Sequence, residues 1–290
     1  MFVQSNKLSD LKIYFNNKLK HQFSLNEIKL MFEFSVFKRL SLSKTDLIFG
    51  EEKLLSESDL LFFKDIIDRL LNNEPFQYVI GETLFCDLDI LCDKRALIPR
   101  PETEELVYWI LESFPSKNEK LSLVDFCTGS GCIALSLKNQ MKESNLIATD
   151  FSTDALDLAK KNALLNNLEV SYLKHDLLTE NDDFIKSHSL DCIVSNPPYI
   201  PEKDKLLMNE NVLEFEPHLA LFVSNDNPLI FYQRIAEIAK NKLKKNAFLF
   251  FEIHENLSGE VKRILLNLGF SSVEIKKDLQ GKDRMIKAIS

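Results

Sequence analysis

The plan of this chain is set by the stretch Asp191-Cys192-Ile193-Val194-Ser195-Asn196-Pro197-Pro198-Tyr199-Ile200-Pro201. Its apolar run, Cys192 to Val194, predicts a short buried strand. The strand has to end at Pro197 and Pro198, because neither proline has a backbone N–H with which to continue a ladder. We therefore expect a stiff loop beyond it, one that presents an amide side chain, free carbonyl groups and an aromatic ring.

Predicted strands and helices alternate on both sides of this stretch. Strands are predicted at 121–126, 146–149, 170–173, 192–195 and 248–253, and helices at 131–138, 152–166, 228–243 and 256–268. Two further strands, 273–275 and 285–289, are predicted to pair as a C-terminal hairpin. The alternation predicts a parallel, doubly wound α/β sheet with an antiparallel hairpin at one edge. In such a sheet ligands bind beyond the carboxyl ends of the strands, which is where Asn196 lies.

The first 72 residues have a different pattern, with apolar residues at helical spacing and almost no glycine. Capping boxes are predicted at Ser24 with Glu27 and at Ser43 with Asp46. The residues predicted to be buried are Leu8, Leu11, Phe15, Leu19, Ile28, Met31, Phe32, Val36, Leu60, Phe63, Ile66, Ile67, Leu70 and Leu71. The pattern indicates a small helical bundle, and the sequence leaves open whether this bundle is a structural cap or docks a partner.

Between this bundle and the alternating region, Pro75 and Gly81 interrupt the helical pattern, and residues 84–91 predict a short hairpin. The predicted division is a helical domain over 1–74, a hairpin linker over 75–99 and an α/β domain over 100–290.

The loop after the first strand of the alternating region reads Asp125-Phe126-Cys127-Thr128-Gly129-Ser130-Gly131. Glycines let a backbone approach a ligand closely, and the helix that follows presents free N–H groups. Asp150 ends the next strand, where a carboxylate accepts hydrogen bonds from ribose hydroxyls. The combination predicts a site for an adenosine-containing cofactor without separating NAD from S-adenosylmethionine. A tight turn followed by a surface aspartate is the structural alternative.

Two further places carry candidate site residues. Asp176 follows the third predicted strand, just before Leu177, where its carboxylate can receive the adenine amino group; a solvated loop residue is the alternative. Arg100 and Glu102 lie in a rigid turn between prolines, directly before an acidic helix start. They either cap that helix or belong to an ordered loop beside a cleft.

Asn196 and Pro197 suit chemistry at an amide or amino nitrogen. The side-chain oxygen of Asn196 and the main-chain carbonyl of Pro197 are two acceptors, which together can hold both hydrogens of an NH₂ group and fix its lone pair. Such orientation is worth up to about 7–11 kcal/mol, and fixed dipoles also favour charge that develops on the nitrogen. Tyr199 is predicted to stack on the planar group and shield it from water. Neither a metal ion nor a nucleophilic side chain is needed, and the structural alternative is a plain Pro-Pro turn.

The composition excludes several classes of protein. The chain has 290 residues and a net charge of −8, which argues against stable binding to nucleic acid, where a basic surface is expected. Its five cysteines form no CxxC pair, which fits reduced thiols better than disulfides or a zinc site. The first residues lack an apolar signal segment, and no apolar run approaches the roughly 18 residues of a membrane span. A cytoplasmic protein is predicted.

The chain resembles the class I methyltransferases that act on amide or exocyclic amino nitrogens. More narrowly, it is similar to the HemK/PrmC family, the peptide chain release factor glutamine N5-methyltransferases. The resemblance covers nearly the whole chain and is carried by 77–81, 97–104, 125–133, Asp150, 195–201, 216–221 and 277–284. The run Ile-Pro-Arg-Pro-Glu-Thr-Glu at 98–104 is specific to this family, whereas Asn-Pro-Pro-Tyr is shared with adenine-N6 methyltransferases.

The resemblance implies a Rossmann-like, seven-stranded, mostly parallel sheet with an antiparallel C-terminal hairpin, joined to a small N-terminal helical bundle. It implies S-adenosylmethionine as methyl donor, S-adenosylhomocysteine as product, and the glutamine of the Gly-Gly-Gln motif of a class 1 release factor as acceptor. The expected cofactor contacts, with Asp176 added from its position, are Cys127, Thr128, Gly129, Ser130, Gly131, Asp150, Asp176, Leu177 and Asn196. The expected substrate contacts are Asn196, Pro197, Pro198 and Tyr199, with Arg100 and Glu102 as further candidates. The expected catalytic residues are Asn196, Pro197 and Tyr199.

The chain departs from the family pattern at three places. Cys127 stands where glycine is usual, Leu177 stands where an aromatic residue is common, and the loop 223–228 lacks the usual glycines. Three other functions are alternatives: adenine-N6 methylation of nucleic acid, an NAD-dependent oxidoreductase and a non-catalytic binding protein. The acidic charge argues against the first, and the second leaves Asn-Pro-Pro-Tyr unexplained.

Overall fold

A computed structural model of the chain describes residues 3–50, 52–114, 116 and 119–290. The chain divides into two units, Met1–Gly81 with Glu210–Phe215, and Glu82–Asn209 with Glu216–Ser290. Six residues of the predicted domains lie outside the described ranges: Met1, Phe2, Glu51, Pro115, Lys117 and Asn118.

The first unit is helical. It contains α1 (Leu8–Leu19), α2 (Leu25–Leu40), α3 (Lys44–Phe49), α4 (Glu57–Leu71), α5 (Phe76–Ile80) and α9 (Glu210–Phe215). Both predicted capping boxes are present at the starts of α2 and α3, and Ser56 with Asp59 forms another at α4. The predicted buried face is confirmed except at Leu71, which is 42% exposed. That prediction was wrong because Leu71 is the last residue of α4 and lies at the margin of its apolar stripe.

The second unit opens with an antiparallel hairpin of β1 (Glu82–Phe85) and β2 (Leu88–Leu91). The following elements are α6 (Pro101–Ser113), β3 (Ser122–Phe126), α7 (Cys132–Gln140), β4 (Asn145–Asp150), α8 (Thr153–Leu165), β5 (Ser171–Lys174), β6 (Leu190–Ser195), β7 (Ile200–Pro201), a 3₁₀ helix (Glu202–Leu207), α10 (His218–Leu221), β8 (Phe222–Val223), α11 (Ile230–Lys242), β9 (Leu243–Glu252), α12 (Ser258–Asn267), β10 (Ser272–Lys277) and β11 (Asp283–Ile289). β7 and β8 form a separate two-residue ladder.

The described residues of this unit form a seven-stranded sheet in the order β10-β11-β9-β6-β3-β4-β5. β9, β6, β3, β4 and β5 run parallel, and β11 pairs antiparallel with both β9 and β10. The predicted sheet and its antiparallel hairpin are therefore confirmed. After β3 the chain adds β4 and then β5 on one side of β3, and β6 pairs with β3 on the other side. The C-terminal ends of β3 and β6 thus form a topological switch point, where open sheets bind ligands.

Helices cover both faces of the sheet, which is why its central strands are apolar on both sides. Phe250 of β9 packs against Trp109 of α6 with ring centroids 5.5 Å apart, and its neighbour Phe251 packs against Tyr232 of α11 at 5.2 Å. Both pairs are edge-to-face, an arrangement that adds about 0.5–1.5 kcal/mol beyond the buried area. These contacts fix β9 between its two helical layers. Among the described residues, no helix combines the length and apolarity needed to cross a bilayer.

Candidate active site at the strand ends

A cleft of about 330 Å³ lies at the carboxyl ends of β3, β4, β5 and β6. The predicted site residues on its wall are Arg100, Cys127, Thr128, Gly129, Ser130, Asp150, Asp176, Leu177, Asn196 and Pro198. The wall does not include Glu102, Gly131, Pro197 or Tyr199. The fold therefore brings residues from the two candidate loops, which are far apart in sequence, onto one surface.

The segment Cys127–Gly131, called here the glycine loop, joins β3 to α7 with three left-handed residues. The φ angle is +59° at Cys127, +56° at Gly129 and +82° at Gly131. A Cβ atom at Gly131 would lie 3.1 Å from the Cβ of Ala159 in α8, closer than most Cβ contacts, so a side chain there would crowd that helix. Cys127 adopts the conformation for which glycine is favoured, at a cost of roughly 1–2 kcal/mol for a residue with a side chain. The loop conformation survives this departure from the family pattern.

Asp150 holds the glycine loop from the end of β4. Its Oδ2 accepts a hydrogen bond from the backbone N–H of Gly129 at 2.9 Å, and its Oδ1 accepts one from Ser152 at 2.9 Å. Burial raises the pKa of Asp150, and the backbone hydrogen bonds oppose that rise. A carboxylate has about four lone-pair sites, so Asp150 can still accept a hydrogen bond from a hydroxyl.

Asp125, beneath the same loop, is a residue to which the sequence assigned no role. It is fully buried at the end of β3, and its Oδ2 accepts a hydrogen bond from the Thr128 hydroxyl at 2.6 Å. Its Oδ1 has no hydrogen-bond partner among the described residues. Burial raises the pKa of Asp125 to about 7. This carboxyl group supports the loop from below rather than from the cleft wall.

The far wall of the cleft is formed by residues that follow β4 and β5. Phe151, directly after Asp150, is 51% exposed, with Nζ of Lys174 6.0 Å from the centroid of its ring, whereas Leu177 is buried. Asp176 accepts hydrogen bonds from the Leu178 N–H and the Thr179 hydroxyl, and the Thr179 hydrogen bond lowers the pKa of Asp176. Phe151 was missed in the sequence, although its position beside Asp150 at a strand end is a usable signal.

The segment Asn196–Tyr199, called here the proline loop, leaves β6 next to the glycine loop. The hydroxyl of Ser195 donates to the carbonyl of Phe126 at 2.7 Å and so ties the roots of the two loops together. The Nδ2 of Asn196 donates to the Oγ1 of Thr103 in α6 at 3.4 Å. The amide of Asn196 is therefore directed by a neighbour as well as by its own backbone.

Behind the proline loop lies the carboxylate of Glu252, at the end of β9. Its Oε2 accepts a hydrogen bond from the Thr103 hydroxyl at 2.6 Å, and its Oε1 accepts one from the Tyr199 hydroxyl at 3.2 Å. Glu252 is 2% exposed, and burial raises its pKa while Thr103, Arg284 and Tyr199 lower it. The ring of Tyr199 packs edge-on against His254 at 6.0 Å. Thr103 and Glu252 were not among the predicted site residues, because neither has a local sequence signal for this contact.

Arg100 lines the cleft and forms an ion pair through its guanidinium with Glu216. The other carboxylate oxygen of Glu216 accepts a hydrogen bond from the Ile98 N–H at 3.2 Å. Glu216 is buried and precedes Pro217, which also lines the cleft. Glu102, by contrast, is contacted by Gln280 at 3.4 Å and lies off the cleft wall. Arg100 thus shapes the rim through an ion pair.

Comparison with known proteins agrees with this geometry. A model of the PrmC N-terminal domain matches residues 24–81, and a model of the methyltransferase small domain matches residues 108–219. A crystal structure of a methyltransferase from Pyrococcus furiosus shares the fold, with a TM-score of 0.53 and 20% identity over 77% of this chain and 96% of that one. The sheet, the cleft and these matches define a Rossmann-like methyltransferase.

Two relatives narrow this class. A release factor glutamine methyltransferase of Flavobacterium psychrophilum is 37% identical over 97% of this chain and 98% of its own length. Another, of Bacteroides thetaiotaomicron, is 36% identical over 97% of this chain and 99% of its own. The chain belongs to the release factor glutamine methyltransferase family. The family predicted from the sequence is confirmed, and the oxidoreductase and non-catalytic alternatives are set aside.

Proposed function

We propose that this enzyme transfers a methyl group from S-adenosylmethionine to the side-chain nitrogen (N5) of the glutamine in the Gly-Gly-Gln motif of a class 1 peptide chain release factor. The observation that carries the proposal is that Asn196 and the glycine loop share one cleft. The names of the two relatives support a release factor as substrate.

The cleft residues fit an adenosine-containing methyl donor. Its volume of about 330 Å³ lies within the usual range for small-molecule sites. Gly129 brings bare backbone to the wall, and Asp150 beside it has lone pairs free for ribose hydroxyls. We expect Phe151 to contact the adenine ring in place of the aromatic residue missing at Leu177, and Asp176 to receive the adenine amino group. S-adenosylmethionine, when bound, supplies a methyl carbon made electrophilic by its positively charged sulfur.

The protein's part in the reaction is to hold the acceptor nitrogen. An amide nitrogen is a poor nucleophile because its lone pair is delocalised into its carbonyl. The Oδ1 of Asn196 and the carbonyl of Pro197 accept its two N–H groups and so direct the lone pair toward the methyl carbon. A nitrogen–carbon bond forms while the sulfur–carbon bond breaks, and the nitrogen then loses one proton. Pro198 on the cleft wall restricts the space around the held group. Tyr199 lies off that wall, and we expect its ring to shield the group from water once the substrate is bound.

The domain organisation is part of the same proposal. Residues 1–74 would form the N-terminal helical domain, 75–99 the hairpin linker and 100–290 the catalytic domain. The match of a PrmC N-terminal domain model to residues 24–81 supports a distinct first domain.

The test is mass spectrometry of a class 1 release factor after incubation with the enzyme and S-adenosylmethionine. We expect one added methyl group on the motif glutamine, and none when that glutamine is replaced by alanine. Tritiated methyl donor should label the release factor and not nucleic acid. Label in DNA or RNA, with none in the release factor, would overturn the proposal in favour of adenine-N6 methylation.

A further inference from the structure

The acceptor amide can be held only if Asn196 presents its oxygen rather than its NH₂ group to the substrate. An asparagine amide is nearly symmetric in shape, so packing alone does not select one of its two orientations. The selection has to come from a hydrogen-bond partner whose own polarity is fixed. In this structure the partner is the Thr103 hydroxyl, which contacts Nδ2 of Asn196 at 3.4 Å.

A threonine hydroxyl both donates and accepts, so it does not select an orientation by itself. Its single proton is already committed, because the hydroxyl donates to Oε2 of Glu252 at 2.6 Å. A carboxylate has no proton to offer in return. The oxygen of Thr103 therefore meets Asn196 only as an acceptor, and the group that faces it has to be the NH₂.

We propose that Glu252 is a positioning residue for methyl transfer, which acts through Thr103 to fix the orientation of the Asn196 amide. The inference rests on the proposed function, because it concerns the side chain that holds the substrate nitrogen. Glu252 belongs to β9, Thr103 to α6 and Asn196 to the loop after β6, so the relay crosses three elements of one unit. The second oxygen of Glu252 accepts from Tyr199 at 3.2 Å and holds the other end of the proline loop in the same way.

The hydrogen bonds around Glu252 use both of its carboxyl oxygens as acceptors, one for the hydroxyl of Thr103 and the other for that of Tyr199. Burial raises the pKa of Glu252, and these two hydrogen bonds, together with the charge of Arg284 on the neighbouring strand β11, oppose that rise. The main-chain carbonyl of the same residue accepts from the Tyr232 hydroxyl at 3.1 Å, which fixes the end of β9. The carboxylate is therefore held in place from both its side chain and its backbone.

The test compares Thr103→Val, which keeps the branched shape and removes the hydroxyl, with Thr103→Ser, which keeps the hydroxyl. We expect Thr103→Val to lower kcat on the release factor by about tenfold to a hundredfold through misorientation of Asn196. Affinity for S-adenosylhomocysteine should stay within about twofold, since the glycine loop is untouched, and Thr103→Ser should retain most of the activity. Wild-type kcat in Thr103→Val, or equal loss in both variants, overturns the proposal.

A matched control separates orientation from stability. Ser35 is buried in the helical unit, where its hydroxyl donates to the carbonyl of Met31 at 2.7 Å. Ser35→Ala removes a buried hydroxyl without touching the relay, and it should lower the unfolding midpoint while leaving kcat unchanged. If Thr103→Val does not fold, Glu252→Gln takes its place. A glutamine can donate to Thr103 and release the orientation of Asn196, so kcat should fall, and an unchanged kcat in Glu252→Gln overturns the proposal.

A second readout does not depend on the release factor. Nuclear magnetic resonance of ¹⁵N-asparagine-labelled enzyme follows hydrogen exchange of the Asn196 side-chain NH₂, whose signal is identified by its loss in Asn196→Ser. Exchange should be slow in wild type and Thr103→Ser, and about tenfold or more faster in Thr103→Val. Equal exchange in all three overturns the relay. If wild-type enzyme does not methylate the release factor, the proposed function fails, and this measurement alone still decides the relay.

Discussion

The glycine loop and the proline loop stand side by side at the ends of β3 and β6, yet they are built in opposite ways. The glycine loop presents the backbone of Gly129 to the cleft, and a side chain at the left-handed Gly131 would crowd Ala159. The proline loop presents one polar side chain to the cleft, Asn196, on a backbone that two prolines make stiff. The glycine loop depends on the lack of a side chain at Gly131, whereas the proline loop depends on the orientation of the Asn196 side chain.

The carboxyl groups that support the two loops accept hydrogen bonds from different kinds of donor. Asp150 accepts from main-chain N–H groups of Gly129 and Ser152, whose positions follow from the chain path. Glu252 accepts from the side-chain hydroxyls of Thr103 and Tyr199, which could rotate if it were absent. A site built from backbone groups should therefore tolerate substitutions elsewhere in the protein. A site that depends on one side chain needs neighbouring hydrogen bonds to hold that side chain in place. Cofactor affinity and methyl transfer should therefore be separable by mutation.

Asn196→Ala has the largest expected effect, and it tests whether methyl transfer can be lost while cofactor affinity is kept. We expect methyl transfer to fall by at least about 10²–10³-fold, the loss typical of removing one fixed dipole. Affinity for the cofactor should persist, because the glycine loop and Asp150 remain. Single-turnover kinetics and calorimetry with S-adenosylhomocysteine measure the two effects. A drop in affinity as large as that of Asp150→Ala would contradict the division of roles.

Asp150→Ala tests the support of the glycine loop and its part in cofactor affinity. It removes the acceptor expected to bind the ribose and also frees the N–H of Gly129. Hydrogen bonds to a charged group are worth about 1.5–3 kcal/mol, so affinity for S-adenosylhomocysteine should fall by about 10–100-fold. Calorimetry provides the measurement, and an unchanged affinity would remove Asp150 from the cofactor site.

Gly131→Ala sharpens the claim that the glycine loop depends on absent side chains. The new Cβ would meet Ala159 at 3.1 Å in a left-handed backbone, and we expect a loss of about 2 kcal/mol in the free energy of unfolding. Gly259→Ala is the matched control, because a Cβ there meets no atom within 4 Å and its backbone is not left-handed. Its effect should stay within about 1 kcal/mol in either direction. Equal effects in urea denaturation would show that crowding at Gly131 is unimportant.

The last prediction concerns the pH dependence that Asp125, beneath the glycine loop, gives to the stability of the fold. Burial raises the pKa of Asp125 to about 7, above its unfolded value, so its protonated form stabilises the fold at low pH. That contribution is lost as pH rises through about 7, by up to about 1.4 kcal/mol per pH unit.

Asp125→Asn removes this titration. The free energy of unfolding of wild type minus that of Asp125→Asn should decrease from about pH 5 to about pH 7 and then level off. Urea denaturation across this range measures it, and a difference independent of pH would mean that Asp125 stays ionised in the folded state.

Features with a local cause could be predicted from the sequence. The capping boxes of α2 and α3 and the strand stopped before Pro197 each depend on residues a few positions apart. The alternation of strands and helices then gave the class of sheet. The two candidate loops could be placed near each other because both follow parallel strands, whose carboxyl ends share one edge.

The supports of these loops have no such local cause. Thr103 and Glu252 are 149 positions apart, and each looks ordinary in its own segment, one in a helix start and the other in an apolar strand. Segment 200–227 also resisted prediction, because its 3₁₀ helix, its short helices and the ladder of β7 with β8 are too brief for a periodic signal. Contacts of this kind appear only once the tertiary arrangement is known.

The place of β11 in the sheet has a consequence for folding kinetics. β11 follows every other strand in the chain, yet it lies between β9 and β10 and is bonded to both. Its pairing sets Met285 opposite Glu252, so the support of the proline loop is finished only when this strand docks. During synthesis on the ribosome, one edge of β9 therefore stays unpaired until β11 has been made. Pairing between strands separated in this way is slow to nucleate, and we expect enzymatic activity to appear only after this docking step in refolding.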